Sequence, residues 1–210
     1  MKKINLLAFV LTIVILSGCS DDDDVSIDDN SVTISEITLS QQEIDDLKFL
    51  REEEKLARDV YLFSYDLYGE TIFNNISKSE QQHMDQLLVL LNLYEINDPA
   101  STERGVFSNE TLQTLYNDLV VQSSISLVEA LNVGATIEDL DIKDIEEFEH
   151  ETANSTILNV YDKLKCGSRN HIRNYTSQLT LNEVNYEPQF ISLEKYIEIL
   201  ASLNEKCGKQ

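Results

Sequence analysis

The chain has 210 residues, enough for one domain with a substantial core once a targeting segment is set aside. Six glycines, two prolines and no tryptophan, amid many Leu, Ile, Glu, Asp and Asn, favour helices over a turn-rich β fold. A formal charge of -22 repels phosphate backbones and anionic lipid surfaces, which argues against nucleic acid as a partner.

Residues 1–18 carry Lys2 and Lys3, then an apolar run to Leu16, then small residues. This reads as a signal peptide, too short to span a bilayer comfortably. Leu16-Ser17-Gly18-Cys19 resembles the lipobox of bacterial lipoproteins. The resemblance implies that Cys19 becomes the first mature residue and carries a lipid. The protein would then sit on the membrane of a bacterial cell envelope, facing the periplasm or the outside. Residues 19–39 begin with an acidic run that cannot bury apolar area and read as a disordered tether. Cys166 and Cys207 remain; an exported chain meets an oxidising compartment, which suggests a disulfide between them, with two buried thiols as the alternative. No C-x-x-C occurs, so the chain holds no zinc ribbon or rubredoxin-like module of its own.

The folded domain is placed at 40–206. Ser40-x-x-Glu43, Ser77-x-x-Glu80 and Ser126-x-x-Glu129 each match a capping box ahead of helical apolar spacing. The first helix is expected over 41–68, ending near Gly69. The second is expected over 78–95, ending before Asp98-Pro99. A connection of about thirty residues follows, with a short helix near 109–121. The third and fourth long helices are expected over 127–149 and 155–180, and a last helical segment over 192–205. A close pair, one long crossover and a second close pair describe an all-α antiparallel four-helix bundle.

Residues three, four and seven apart share a helix face. On that basis Glu54 is the charged member of a stripe with Leu47, Leu50, Ala57 and Tyr61. Glu80 and His83 share a face with Ile76, Leu87 and Leu90. Glu138 and Asp141 lie among Leu131, Gly134 and Ile145, and Ser168 and His171 lie among Leu164, Tyr175 and Leu179. Every long helix thus places an ionisable group mid-way along its apolar face. A buried unpaired carboxylate is expensive, and four helices with the same anomaly point to a shared cation. Taken singly, each residue has a plainer reading. Glu80 could serve only as the capping partner of Ser77, Glu54 could pair with Arg58, and Glu138 and Asp141 could belong to a solvated acidic face. His171 could be a satisfied core histidine, and His150, at a helix end, reads as a surface residue.

Residues 51–61, REEEKLARDVY, resemble the first-helix motif of rubrerythrins, in which a metal-binding Glu lies three residues before an Ala-Arg pair; that register selects Glu54. Ser79-Glu80-Gln81-Gln82-His83 is similar to the Glu-x-x-His of their second helix. TIEDLDI at 136–142 looks like the segment carrying a third-helix Glu, here Glu138. Ser168-Arg169-Asn170-His171 falls where a second Glu-x-x-His belongs, with Ser in place of the bridging Glu. The span from about 44 to 200 resembles the DUF2202 branch of the ferritin-like group. The resemblance implies a ferritin-like bundle with a two-iron (or iron–manganese) site held by Glu54, Glu80, His83, Glu138 and His171. Asp141, one turn from Glu138, could supply the carboxylate that Ser168 lacks, and Tyr61 and Tyr161 could line the site. The implied activity is peroxide reduction or oxygen activation, with electrons from an external donor protein. The alternatives are a metal-binding module without turnover and an interaction domain that keeps the bundle alone.

Overall fold

The computed structural model describes residues 38–208. The expected leader, Cys19 and the expected tether up to residue 37 lie outside the described residues. Those described form six helices: α1 Gln41–Tyr68, α2 Thr71–Leu93, α3 Glu110–Ser123, α4 Leu127–Glu151, α5 Ser155–Leu181 and α6 Leu193–Ala201. There is no strand among them, and no helix among them is long and apolar enough to cross a membrane.

α1 begins as the sequence leads one to expect. The Glu43 amide donates to the Ser40 hydroxyl, and the Ser40 amide donates to the Glu43 carboxylate at 2.7 Å. Two otherwise unpartnered amides are thereby satisfied. Gly69 stops the helix in the left-handed region at φ 69, a conformation that glycine adopts without a β-carbon clash.

α2 corrects the expected start at 78. It begins at Thr71, directly after the Gly69-Glu70 turn, although Glu70 supplies no side-chain cap. Phe73 and Ile76 are buried in the core, and that burial carries the helix through the extra two turns. Ser77 is therefore mid-helix, its hydroxyl donating to the Asn74 carbonyl, and Glu80 is no capping partner. α6 is shorter than expected: it stops at Ala201, and residues 202–208 fold back over α5.

The four long helices pack α1 on α2, α4 on α5, α1 on α4 and α2 on α5. Each of these neighbours is antiparallel. Tyr61 meets Glu138 while Phe49 meets Phe148, and Ser79 meets His171 while His83 meets Gly167. It follows that α2 and α4 run the same way, so the connection between them must travel the length of the bundle. α3 lies in that connection and packs on α1 and α4.

The crossover explains why α1 buries charge around its whole circumference. Arg51 pairs with Asp98, Glu52 accepts from the Ser108 and Asn109 amides, and Lys55 pairs with Asp59 at 2.6 Å with both side chains fully buried. The Lys55 ammonium also lies 4.2 Å from the Phe107 ring centroid. Arg58 binds Asp59 and Gln81, not Glu54.

The apolar core comes in two parts. One gathers Val60, Tyr61, Phe73, Leu131, Ile172 and Tyr175; the other gathers Leu47, Leu50, Leu87, Leu91, Ile157 and Leu164. Between them lies a layer of buried polar side chains.

Candidate metal centre

That layer holds Glu54 from α1, Glu80 and His83 from α2, Glu138 and Asp141 from α4, and Ser168 and His171 from α5, none of them more than 6% exposed. Two groups of donor atoms form within it, each spanning no more than 4.8 Å: Glu54, Glu80 and His83, and then Glu80, Glu138 and His171. Glu80 belongs to both.

The contacts around Glu80 decide what the layer can do. His83 Nδ1 lies 2.8 Å from one Glu80 oxygen and His171 Nδ1 lies 2.9 Å from the other. Neither approach has hydrogen-bond geometry, and both Glu80 oxygens are left without a hydrogen-bond partner. His83 Nδ1 also faces Glu54 at 3.1 Å, and His171 Nδ1 faces Glu138 at 3.3 Å. The lone pairs converge on shared volumes instead of pairing off, a geometry that a cation satisfies better than a proton does.

Outer contacts orient these groups. His171 Nε2 lies 2.9 Å from the Ser79 hydroxyl, and with Nε2–H donating there, Nδ1 is left to face the carboxylates. Tyr61 donates its phenolic hydrogen to Glu138 at 2.6 Å. The two imidazoles lie 5.7 Å apart at an interplanar angle of 30°. Gly167 gives His83 its place, since a β-carbon at 167 would lie 2.5 Å from the ring.

The electrostatics follow from burial and crowding. Burial lifts the Glu54 carboxyl to about 7, although His83 opposes the rise. Glu80 is just as buried, yet His171 and His83 together outweigh the burial and hold it below its ordinary range. Burial works against the charge on His171, but Glu80 and Glu138 raise it to about 10. His83 is likewise raised by Glu54 and Glu80 despite burial. Burial also raises Glu138, against the pull of His171. The cluster is therefore balanced by protons that a divalent ion could displace.

Asp141 belongs to neither donor group. It is 2% exposed with both oxygens unpartnered, and burial followed by the charges of Glu53, Glu54, Glu138 and Glu80 raises its carboxyl far above the usual range. Ser168 is turned aside, its hydroxyl donating to the Leu164 carbonyl. Tyr61 reaches the layer; Tyr161 does not, because it packs with Leu47, Ile157 and Leu164 in the second apolar part. His150 is exposed, as expected.

Two residues escaped the sequence reading. Ser79 sits beside Glu80 on the helix and carries no signal of its own. Glu53 is 2% exposed with both oxygens unpartnered, and burial followed by Asp144 raises it strongly. The helical spacing singles out Glu54 alone, because nothing in it shows that the crossover and α4 cover α1 on other sides. Of the two readings for Cys166 and Cys207, the disulfide is the one found.

Comparison with known proteins places this architecture. The chain is 48% identical over 169 residues to "Uncharacterized protein MJ0754" of Methanocaldococcus jannaschii, covering 80% of this chain and 91% of that one. The crystal structure of hypothetical protein MJ0754 from Methanococcus jannaschii superposes with a TM-score of 0.79 at 49% identity, covering 80% of this chain and 96% of that one. A family model described as an uncharacterized protein domain, DUF2202, matches residues 43–203, so the chain belongs to the DUF2202 family.

Proposed function

We propose that the protein is a ferritin-like two-metal carboxylate protein, most simply di-iron, that reduces hydrogen peroxide with electrons from an external donor protein. The observation that carries this reading is Glu80, whose two oxygens meet two imidazole Nδ1 atoms at 2.8 and 2.9 Å without a hydrogen bond. Oxygen and imidazole donors with no thiolate suit iron or manganese. Glu54, Glu80 and His83 would hold one ion, and Glu80, Glu138 and His171 the other, with Asp141, buried in the same layer, the candidate for the carboxylate that Ser168 does not offer. Bound there, the ions would supply the redox chemistry that reduces peroxide to water. The chain's own residues orient the donors: Ser79 fixes the His171 tautomer and Tyr61 holds Glu138.

On the same reading the leader 1–18 is removed and a lipid on Cys19 anchors the protein to the bacterial cell envelope. Residues 19–39 then act as a tether for the domain at 40–206. The experiment is elemental analysis of untagged protein reconstituted with iron, followed by peroxide consumption in the presence of a reductant. Two irons per chain with consumption would support the proposal, and a chain without metal would end it. Ser168, bonded to its own helix, favours one second reading: a metal-binding module that does not turn over. Metal without peroxide consumption would select that reading.

A further inference from the structure

A cleft of about 500 Å³ opens beside the candidate metal centre, and the disulfide forms part of its wall. Ser79, His83 and His171 line one side; Lys163, Asn170 and Cys207 line another. Cys166 is 7% exposed, whereas Cys207 is more accessible and faces the cleft. Cys166 directly precedes Gly167, the residue against the His83 ring. The disulfide thus sits at the mouth of the layer, on the side where both imidazole edges are reached from outside.

We propose that Cys166–Cys207 is a redox-active pair that accepts two electrons from an external protein dithiol entering this cleft. Two further observations support it. The Asn170 side-chain amide donates to the Cys207 sulfur at 3.3 Å, and Lys163 and Lys206 line the same cleft. An N–H donor on the sulfur stabilises the negative charge it takes on as a leaving group, and the lysines suit an acidic donor surface. The segment carrying Cys207 is also held without the disulfide. Arg169 and Arg173 both bind Glu205, Asn170 Nδ2 donates to the Glu205 carbonyl, and the Glu205 amide donates to Asn170 Oδ1. Opening the S–S bond therefore leaves the two sulfurs neighbours, ready to close again.

The exchange balances. A donor thiolate attacks the accessible Cys207 sulfur, forming a mixed disulfide, and Cys166 leaves as a thiolate that takes a proton. The donor's second thiolate then attacks the donor's first sulfur, and Cys207 leaves as a thiolate beside Asn170 Nδ2–H. The donor is oxidised to its disulfide, and this chain gains two electrons and becomes the dithiol. The exchange itself needs no metal. Its bearing on peroxide reduction rests on the function proposed above, for which this pair would be the place where reducing equivalents enter.

The test uses the full chain, purified with its disulfide intact and stripped of metal. It is mixed with a reduced thioredoxin whose second active-site cysteine is replaced by serine, so that the first adduct is trapped. The expected result is a mixed disulfide on Cys207, found by peptide mass under native conditions, with the helical circular dichroism unchanged. Adduct formed only in denaturant, or only with loss of helicity, would overturn the proposal and leave a purely structural crosslink. Because the assay reads sulfur on metal-free protein, its outcome is separate from the iron count that tests the two-metal reading.

Discussion

Gly167 lies so close to the His83 imidazole that a β-carbon at 167 would stand 2.5 Å from ring atoms Cε1 and Nε2. His83 is held on its other edge by Glu54 and Glu80, so it cannot retreat without leaving both carboxylates. Gly167→Ala is therefore expected to displace His83 and lower the iron content at the first position, with the helical content kept. Elemental analysis alongside circular dichroism would check it; unchanged iron content would show that the ring has room to give.

Glu80 is the one carboxylate common to both donor groups. Glu80→Ala is expected to empty both positions, whereas Glu138→Ala should empty only the second. Asp141→Ala should also lower the metal count, because Asp141 brings two unpartnered buried oxygens to the layer where Ser168 brings none. Iron counts per chain for the three variants decide between these roles. An unchanged count for Asp141→Ala would remove that residue from the centre.

The metal-free protein should lose stability as pH rises. His171 is raised from 6.5 to about 10 in the folded chain, so its contribution is complete below pH 6.5 and is lost as pH climbs through about 10. Glu54, raised from 4.5 to about 7, has the same sign in its own lower window. Binding a divalent ion must displace these protons, so metal affinity should change in the opposite sense and rise with pH. Thermal melting across this range, with and without manganese, would show the two curves diverging. Parallel curves would contradict the assignment.

The Lys55–Asp59 pair offers a test of the crossover. Both side chains are fully buried, and Asp59 also accepts from Arg58 and from the Gly105 amide. Removing one partner strands the other charge, and Asp59→Ala is expected to destabilise the fold by about 3–5 kcal/mol. Urea denaturation would measure it, and a loss well under 1 kcal/mol would mean that water reaches Lys55 once Asp59 is gone.

Much of this was legible in the residues. Ser40 and Glu43 announced the start of α1, Gly69 its end, and the 3.6-residue period put Glu54, Glu80, His83, Glu138 and His171 on faces that the structure brings together. Periodicity speaks only of one face at a time, however. It could not show that α1 is covered on several sides, so it gave no reason to expect Arg51, Glu52, Glu53 and Lys55 to be buried, as they are. Local cap chemistry also misled at Ser77. A Ser with Glu three residues on is a start signal only when the preceding turn lacks a reason to be helical, and the burial of Phe73 and Ile76 supplied one. Ser79 had no sequence signature because its role depends on a histidine 92 positions away.

The donors are not shared evenly between the two halves of the bundle. Glu54, Glu80 and His83 all come from the α1–α2 hairpin, whereas the α4–α5 hairpin contributes Glu138 and His171 and borrows Glu80. The first position can therefore assemble within one hairpin, while the second exists only once both hairpins have docked. An ion at the second position would act as a clasp across the seam, so filling it and closing the bundle become one thermodynamic event.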